Sequence, residues 1–279
     1  MGEVYLADGA QEKIDNFLQN KAEDIFILTD FDRTLTSAHY KDQPSTALVS
    51  QLYSQQILPP IYAQRSESLF KKYYPMETDS KLDPQVKTAA MEEWWQACWE
   101  ILIEAKLKKT EIRYAMEKAE VWLRPKCPQF LKLADELKLP IIVLSANVLG
   151  SASIKIFLEH KGLSFDNMKI ISNRLVWDDD NLLVGYIPPI VHSSNKNYGM
   201  VPEKIRASVA ARKQVLLLGD MLEDTMMADG LPEDCQILKV GFYNARTDEH
   251  LTAYQKAYDV LVLDDGTMDW VVNLLQKLP

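Results

Sequence analysis

The apolar run Ile25-Phe26-Ile27-Leu28-Thr29, closed by Asp30-Phe31-Asp32-Arg33-Thr34, constrains the fold of this chain more than any other stretch. Its unbroken β bias reads as a strand buried on both faces and ending in chemistry, the habit of parallel sheets in α/β proteins. In an open parallel sheet, ligands bind beyond the carboxyl ends of the strands, where Asp30 and Asp32 emerge. If Asp30 stays extended and the chain turns after it, these alternate residues can point into one pocket. Two carboxylates that close repel each other unless a divalent cation or a shared proton neutralises them. The D-x-D-x-T spacing also arises by chance at ordinary composition, so its weight depends on matching elements downstream.

Around this strand runs an α/β rhythm interrupted once. Residues 8–20 place Ile14, Phe17 and Leu18 on one face of a short helix leading into the first strand. From about residue 37 to 121 the spacing turns helical, through Leu48, Leu52 and Tyr53, then Phe70, Tyr73 and Tyr74, then MEEWWQACWEILIEA and TEIRYAMEKAEVWL. Pro59, Pro60, Pro75 and Pro84 are expected to divide this stretch into several helices. Beyond Pro125 the alternation resumes: an amphipathic CPQFLKLADELK, the strand LPIIVLSAN, a helix near 149–161 and the strand KIISN. RLVWDDDNLLVGY reads as a hairpin turning at residues 178–181, whose acids are solvated turn residues because no EF-hand spacing surrounds them. QVLLLGD is a further buried strand, with LEDTMMADG opening a helix, then the strands ILKVGF and DVLVLD and a closing helix MDWVVNLLQKL. The pattern predicts an α/β fold: a doubly wound parallel sheet built from residues 1–36 and 122–279, with a helical cap, residues 37–121, inserted after the first strand.

Charge and cysteine usage narrow the function. A net charge of -9 argues against a nucleic-acid partner, which needs a basic footprint, but leaves room for a small phosphorylated ligand. Cys98, Cys127 and Cys235 are widely spaced and form no CxxC, which fits a reducing cytoplasm better than a disulfide framework or zinc site. No run of about 18 apolar residues offers a membrane span. The absence of G-x-G-x-x-G between a strand and a helix removes a dinucleotide binder.

Strand ends now collect Asp30 with Asp32, Ser145, Lys196, and Asp220 with Asp224. Phosphoryl transfer through a carboxyl phosphate needs this inventory. It takes a carboxylate to attack phosphorus, magnesium to relieve the repulsion between two anions, and an acid to protonate the leaving oxygen. A hydroxyl and an ammonium then hold the remaining charge. These motifs resemble those of the haloacid dehalogenase superfamily of phosphatases. YYPME, MEEWW, NKN-x-G and GD-x-x-x-D-x-x-MADG narrow the resemblance to the pyrimidine 5'-nucleotidases of the cytosolic 5'-nucleotidase III group. The resemblance implies a Rossmann-like core with a cap and hydrolysis of nucleoside 5'-monophosphates with Mg²⁺. It makes Asp30 the nucleophile and a metal ligand, and Asp32 the general acid/base, giving its backbone carbonyl to the metal. Ser145 would bind phosphate, Lys196 balance charge, Asp220 ligate Mg²⁺, Asp224 support that metal site, and Glu77 reach the base from the cap.

Three positions depart from the family pattern. Asn147 replaces a glycine after the serine strand and is expected to alter the phosphate loop or contact substrate. Glu223 replaces a small residue before Asp224, where it would crowd or add charge to the metal site, and Arg33 replaces an apolar residue. Glu77 alone reads equally as a solvated cap acid, and Trp94, Trp95 and Trp99 read as cap core rather than a stacking platform. The rival function is a phosphatase for phosphoserine or a sugar or polyol phosphate on the same core.

Overall fold

A computed structural model describes residues 3–41, 43–79, 81–245 and 250–279. In chain order the elements begin with β1 (Val4–Leu6), α1 (Ala10–Gln19), β2 (Ile25–Thr29), β3 (His39–Tyr40), β4 (Gln43–Pro44), α2 (Gln51–Ser54) and α3 (Pro60–Thr78). They continue with α4 (Pro84–Glu104), α5 (Lys109–Glu117), α6 (Cys127–Glu136), β5 (Ile141–Leu144), α7 (Gly150–His160), β6 (Met168–Ile171), β7 (Arg174–Trp177) and β8 (Leu183–Ile187). The chain closes with α8 (Glu203–Val209), β9 (Gln214–Gly219), β10 (Gln236–Phe242), α9 (Leu251–Ala257), β11 (Val260–Val262) and α10 (Asp269–Leu275).

The main sheet has seven strands in the order β1-β11-β10-β9-β2-β5-β6. All its pairings are parallel except that of β1 with β11. From central β2 the chain winds outward to β5 and β6, then crosses back to β9, β10 and β11, so the order reverses at β2. Every residue of β2, β5 and β9 is buried, as their apolar composition requires of strands covered on both faces. In register, Thr29 stands opposite Val143 and Leu218, which brings the carboxyl ends of these three strands level. That is the crevice where α/β sheets take ligands.

The expected fold holds, with local differences. β1 is an antiparallel edge strand that short VYL did not announce. The helical insertion opens with the small β3–β4 ladder, and Thr36 bridges Leu123 where the chain leaves and re-enters the sheet layer. Pro60 and Pro84 start α3 and α4 as expected, but Pro75 lies inside α3 instead of breaking it. Its missing N–H would have served the carbonyl of Lys71, and both residues are exposed, so that acceptor lies within reach of solvent in the last turns. The segment after Asp220 coils as a 3₁₀ helix over Leu222–Ala228. Asp178 behaves as a turn acid, accepting from the amides of Asp180 (3.0 Å) and Leu182 (2.8 Å). Among the described residues, no helix is long and apolar enough to cross a membrane.

Candidate active site

Strand ends bring the acids together. Asp30 follows β2, its amide bonded to the Leu218 carbonyl at 3.0 Å, and Asp220 follows β9. One carboxylate oxygen each from Asp30, Asp220 and Asp224 lie within 4.8 Å of one another. The Lys196 ammonium, 4% exposed, stands between Asp30 Oδ1 at 2.5 Å and Asp224 Oδ1 at 2.6 Å. Burial works against the Lys196 charge, but Asp224 and Asp30 outweigh it and hold the ammonium protonated well above its usual range. Burial also pushes the Asp30 carboxyl up to about 7, Lys196 opposing and Asp224 and Asp32 adding to the rise. Asp220 is raised for the same reason, by burial and then by Asp224 and Asp30. The hard oxygen donors and surplus negative charge suit a small divalent cation.

Asp224 is fixed by the turn it caps. Its Oδ2 accepts from the amides of Asp220 (2.7 Å) and Met221 (2.9 Å), so both its oxygens are engaged within the loop and by Lys196. Gly219 makes this possible: a Cβ there would lie 2.4 Å from the Cβ of Asp224. Asp220 itself is flanked by the Thr34 hydroxyl at 3.4 Å and the Asn244 amide nitrogen at 3.3 Å.

Asp32 lies two residues beyond Asp30, and its carboxylate is outside the three-acid cluster. Burial raises its pKa, with Arg33 and Lys196 opposing. Ser145 caps the β5 end, fully buried, its amide held by the Ile171 carbonyl at 3.0 Å. The Asn147 side-chain oxygen accepts from the Leu149 amide at 2.8 Å, so that oxygen serves the turn that leads into α7.

Three core loops are each bound to the helical insertion. Arg33, at φ 61°, reaches the Tyr74 hydroxyl of α3 at 3.3 Å. The indoles of Trp95 and Trp99 donate to the carbonyls of Ala146 (2.7 Å) and Val148 (2.9 Å), so this cluster joins the insertion to the serine loop as well as packing it. Glu223 pairs with Lys87 of α4 at 2.7 Å and leaves the three-acid cluster uncrowded. Glu77 is brought to the cleft: burial raises its pKa, with neighbouring Ser193, Arg33 and Lys196 lowering it and Glu223 raising it.

Several site residues escaped the sequence reading. Arg124, 0% exposed, donates to the carbonyls of Arg33 and Thr34 just past the acid pair, to Gly266 and to the side chains of Asn244 and Asp265. Asn244 stands two residues past β10, the strand-end signal that found Ser145 and Asp220. Lys87 shares the buried face of α4 with Met91, Trp95 and Trp99 at four-residue steps, and a lysine on an apolar stripe was the signal.

The chain is 28% identical over 270 residues to the 7-methylguanosine phosphate-specific 5'-nucleotidase A of Xenopus laevis, covering 96% of this chain and 92% of that protein. With the 7-methylguanosine phosphate-specific 5'-nucleotidase of Drosophila melanogaster it shares 29% identity over 95% of this chain and 83% of the relative. A crystal structure of cytosolic 5'-nucleotidase IIIB bound to cytidine superposes with a TM-score of 0.86 at 27% identity, covering 98% of this chain and 93% of that one. A substrate-bound phosphoserine phosphatase, at TM-score 0.54 and 15% identity over 91% of this chain and 98% of that one, shares the fold. The family model described as Pyrimidine 5'-nucleotidase (UMPH-1) matches residues 33–279, and the chain belongs to that family.

Proposed function

We propose that this protein hydrolyses nucleoside 5'-monophosphates with Mg²⁺ through a phosphoryl group carried on Asp30. The observation that carries the reading is the Lys196 ammonium held between Asp30 and Asp224 with Asp220 beside them. Asp30, Asp220 and the main-chain carbonyl of Asp32 would hold the metal, with Asp224 supporting it. The bound cation supplies charge neutralisation between the nucleophile and the phosphate. Asp30 attacks phosphorus as the ester bond to the leaving oxygen breaks. Asp32, which burial biases toward its protonated form, gives that oxygen its proton and later takes one from the water that hydrolyses the aspartyl phosphate. Ser145 binds the phosphate oxygens, Lys196 offsets their charge, and Glu77 with Arg33 lines the side of the cleft facing the nucleoside.

Residues 37–121 act as the cap and residues 1–36 with 122–279 as the catalytic core. Unpaired Cys98, Cys127 and Cys235 support a reducing, cytoplasmic setting, and the net charge of -9 supports a small metabolite rather than nucleic acid as partner. The test is phosphate release with Mg²⁺ from CMP, UMP, AMP, GMP, 7-methylguanosine 5'-monophosphate, phosphoserine and sugar phosphates, beside an Asp30→Asn control. Turnover of one or more nucleotides that vanishes in Asp30→Asn is the expected result. Turnover confined to the non-nucleotides refutes the nucleotide assignment, and turnover retained by Asp30→Asn refutes the mechanism.

A further inference from the structure

Lys87 is 6% exposed, on a helix face otherwise given to Ala90, Met91, Trp95 and Trp99. An ammonium buried there is costly unless its charge and its N–H groups are satisfied. Two partners satisfy it: Glu223 Oε1 at 2.7 Å and the main-chain carbonyl of Glu77 at 2.9 Å. Glu223 belongs to the loop whose next residue, Asp224, holds Lys196 and the Asp220 amide. Glu77 lies in the last turn of α3, where carbonyls lack helical partners and the helix dipole favours a cation. One ammonium therefore ties the end of α3 to the Asp220–Asp224 loop of the sheet layer. Two further polar ties run from the C-terminal half of α3 to core loops: Tyr74 to Arg33, and the Glu77 carboxyl to Ser193.

We infer that Lys87, anchored by Glu223, is a positioning residue that sets how far the Glu77 carboxyl stands from Asp30, and so selects phosphate esters whose leaving group reaches Glu77. The inference rests on the nucleotidase reading. Lys87 touches neither Asp30 nor its neighbours directly: Lys196 holds Asp30, and Asn244 and Arg124 hold the Arg33 carbonyl. Substrate discrimination, rather than chemistry at phosphorus, is what this contact governs.

The experiment measures kcat and KM for wild type, Lys87→Met, Lys87→Arg, Glu223→Gln and the Lys87→Met/Glu223→Gln double variant. Each is tested on the preferred nucleotide and on p-nitrophenyl phosphate, which carries no base or sugar. Lys87→Met and Glu223→Gln are expected to raise the nucleotide KM by about tenfold, the size of one buried charge-assisted contact, with kcat nearly unchanged. Their kcat/KM for p-nitrophenyl phosphate should change far less, Lys87→Arg should recover most of the nucleotide KM, and the double variant should be no worse than Lys87→Met alone. Equal losses on both substrates would make the contact a purely structural tie and overturn the inference, as would an unchanged nucleotide KM in Glu223→Gln, which keeps the side-chain volume. A wild type active on p-nitrophenyl phosphate but on no nucleotide overturns the nucleotidase reading first and this inference with it.

Discussion

Replacing Arg124 by methionine should unfold the protein well below its normal midpoint. The guanidinium is fully buried and lies 4.2 Å from the centre of the Phe242 ring, so methionine fills much of its volume while removing every donor. The carbonyls of Thr34 (2.8 Å) and Gly266 (2.6 Å) then lose the donors that Arg124 supplies. Leaving two such acceptors buried and unpaired costs about 2 kcal/mol or more. Asp265 loses the cation at 3.1 Å but keeps the amides of Ala38 (3.1 Å) and His39 (2.8 Å). The cost of breaking that pair therefore falls near the low end of the usual range, about 3 kcal/mol. A total near 5 kcal/mol corresponds to a fall of roughly 10–20 °C in Tm for a chain of this size. Thermal unfolding followed by circular dichroism reads the shift directly. Arg124→Lys should recover only part of it, because one ammonium cannot span acceptors that a planar fork reaches in several directions. A methionine variant melting within about 3 °C of wild type would refute this accounting, since a shift that small corresponds to only about 1 kcal/mol.

Two further outcomes are expected. Gly219→Ala places its Cβ 2.4 Å from the Asp224 Cβ, an overlap that side-chain rotation cannot relieve, so the variant should lose about 1–3 kcal/mol of stability and most of its turnover; paired melting and kinetic assays check it, and wild-type values in both would contradict the packing argument. Without metal, the Asp30 carboxyl sits at about 7, above its ordinary range, because of burial. A raised acid favours the folded state at low pH, and that advantage is lost as pH rises through about 7. Mg²⁺ needs the ionised carboxylate, so the increase in Tm on adding Mg²⁺ should be small at pH 5.5 and large at pH 8.5; equal increases at both would refute this.

Much of the site was legible because its residues mark strand ends. Asp30, Ser145 and Asp220 each terminate an apolar run, and a run buried on both faces announces where its strand stops. Arg124 gave no such signal: in WLRPK it belongs to no periodic segment, and its partners are more than 80 residues away in sequence. The insertion's helices were visible from spacing, whereas the break expected at Pro75 failed because the cost of a proline depends on whether the orphaned carbonyl meets water. Asn147 and Glu223 stood out as departures, but their partners, the Leu149 amide and Lys87, are matters of three-dimensional placement.

The β7–β8 hairpin is bound to the helical insertion. Its turn meets the α4–α5 junction through a Lys108–Leu182 bridge, with the Lys109 amide bonded to the Asn181 carbonyl at 3.0 Å and the Leu183 amide to Leu107 at 2.9 Å. Tyr186 also stacks on Trp99 at 4.2 Å. A hinge confined to the two crossings near Thr36 and Leu123 would tear these main-chain bonds. Carrying the hairpin along would preserve them; at the hairpin's base the Asn173 side chain clasps the Val191 amide and carbonyl at 2.8 Å each. Mechanically, the insertion and the hairpin are riveted together, so any movement of residues 37–121 against the sheet would pull on the chain segment that leads from the hairpin to Lys196.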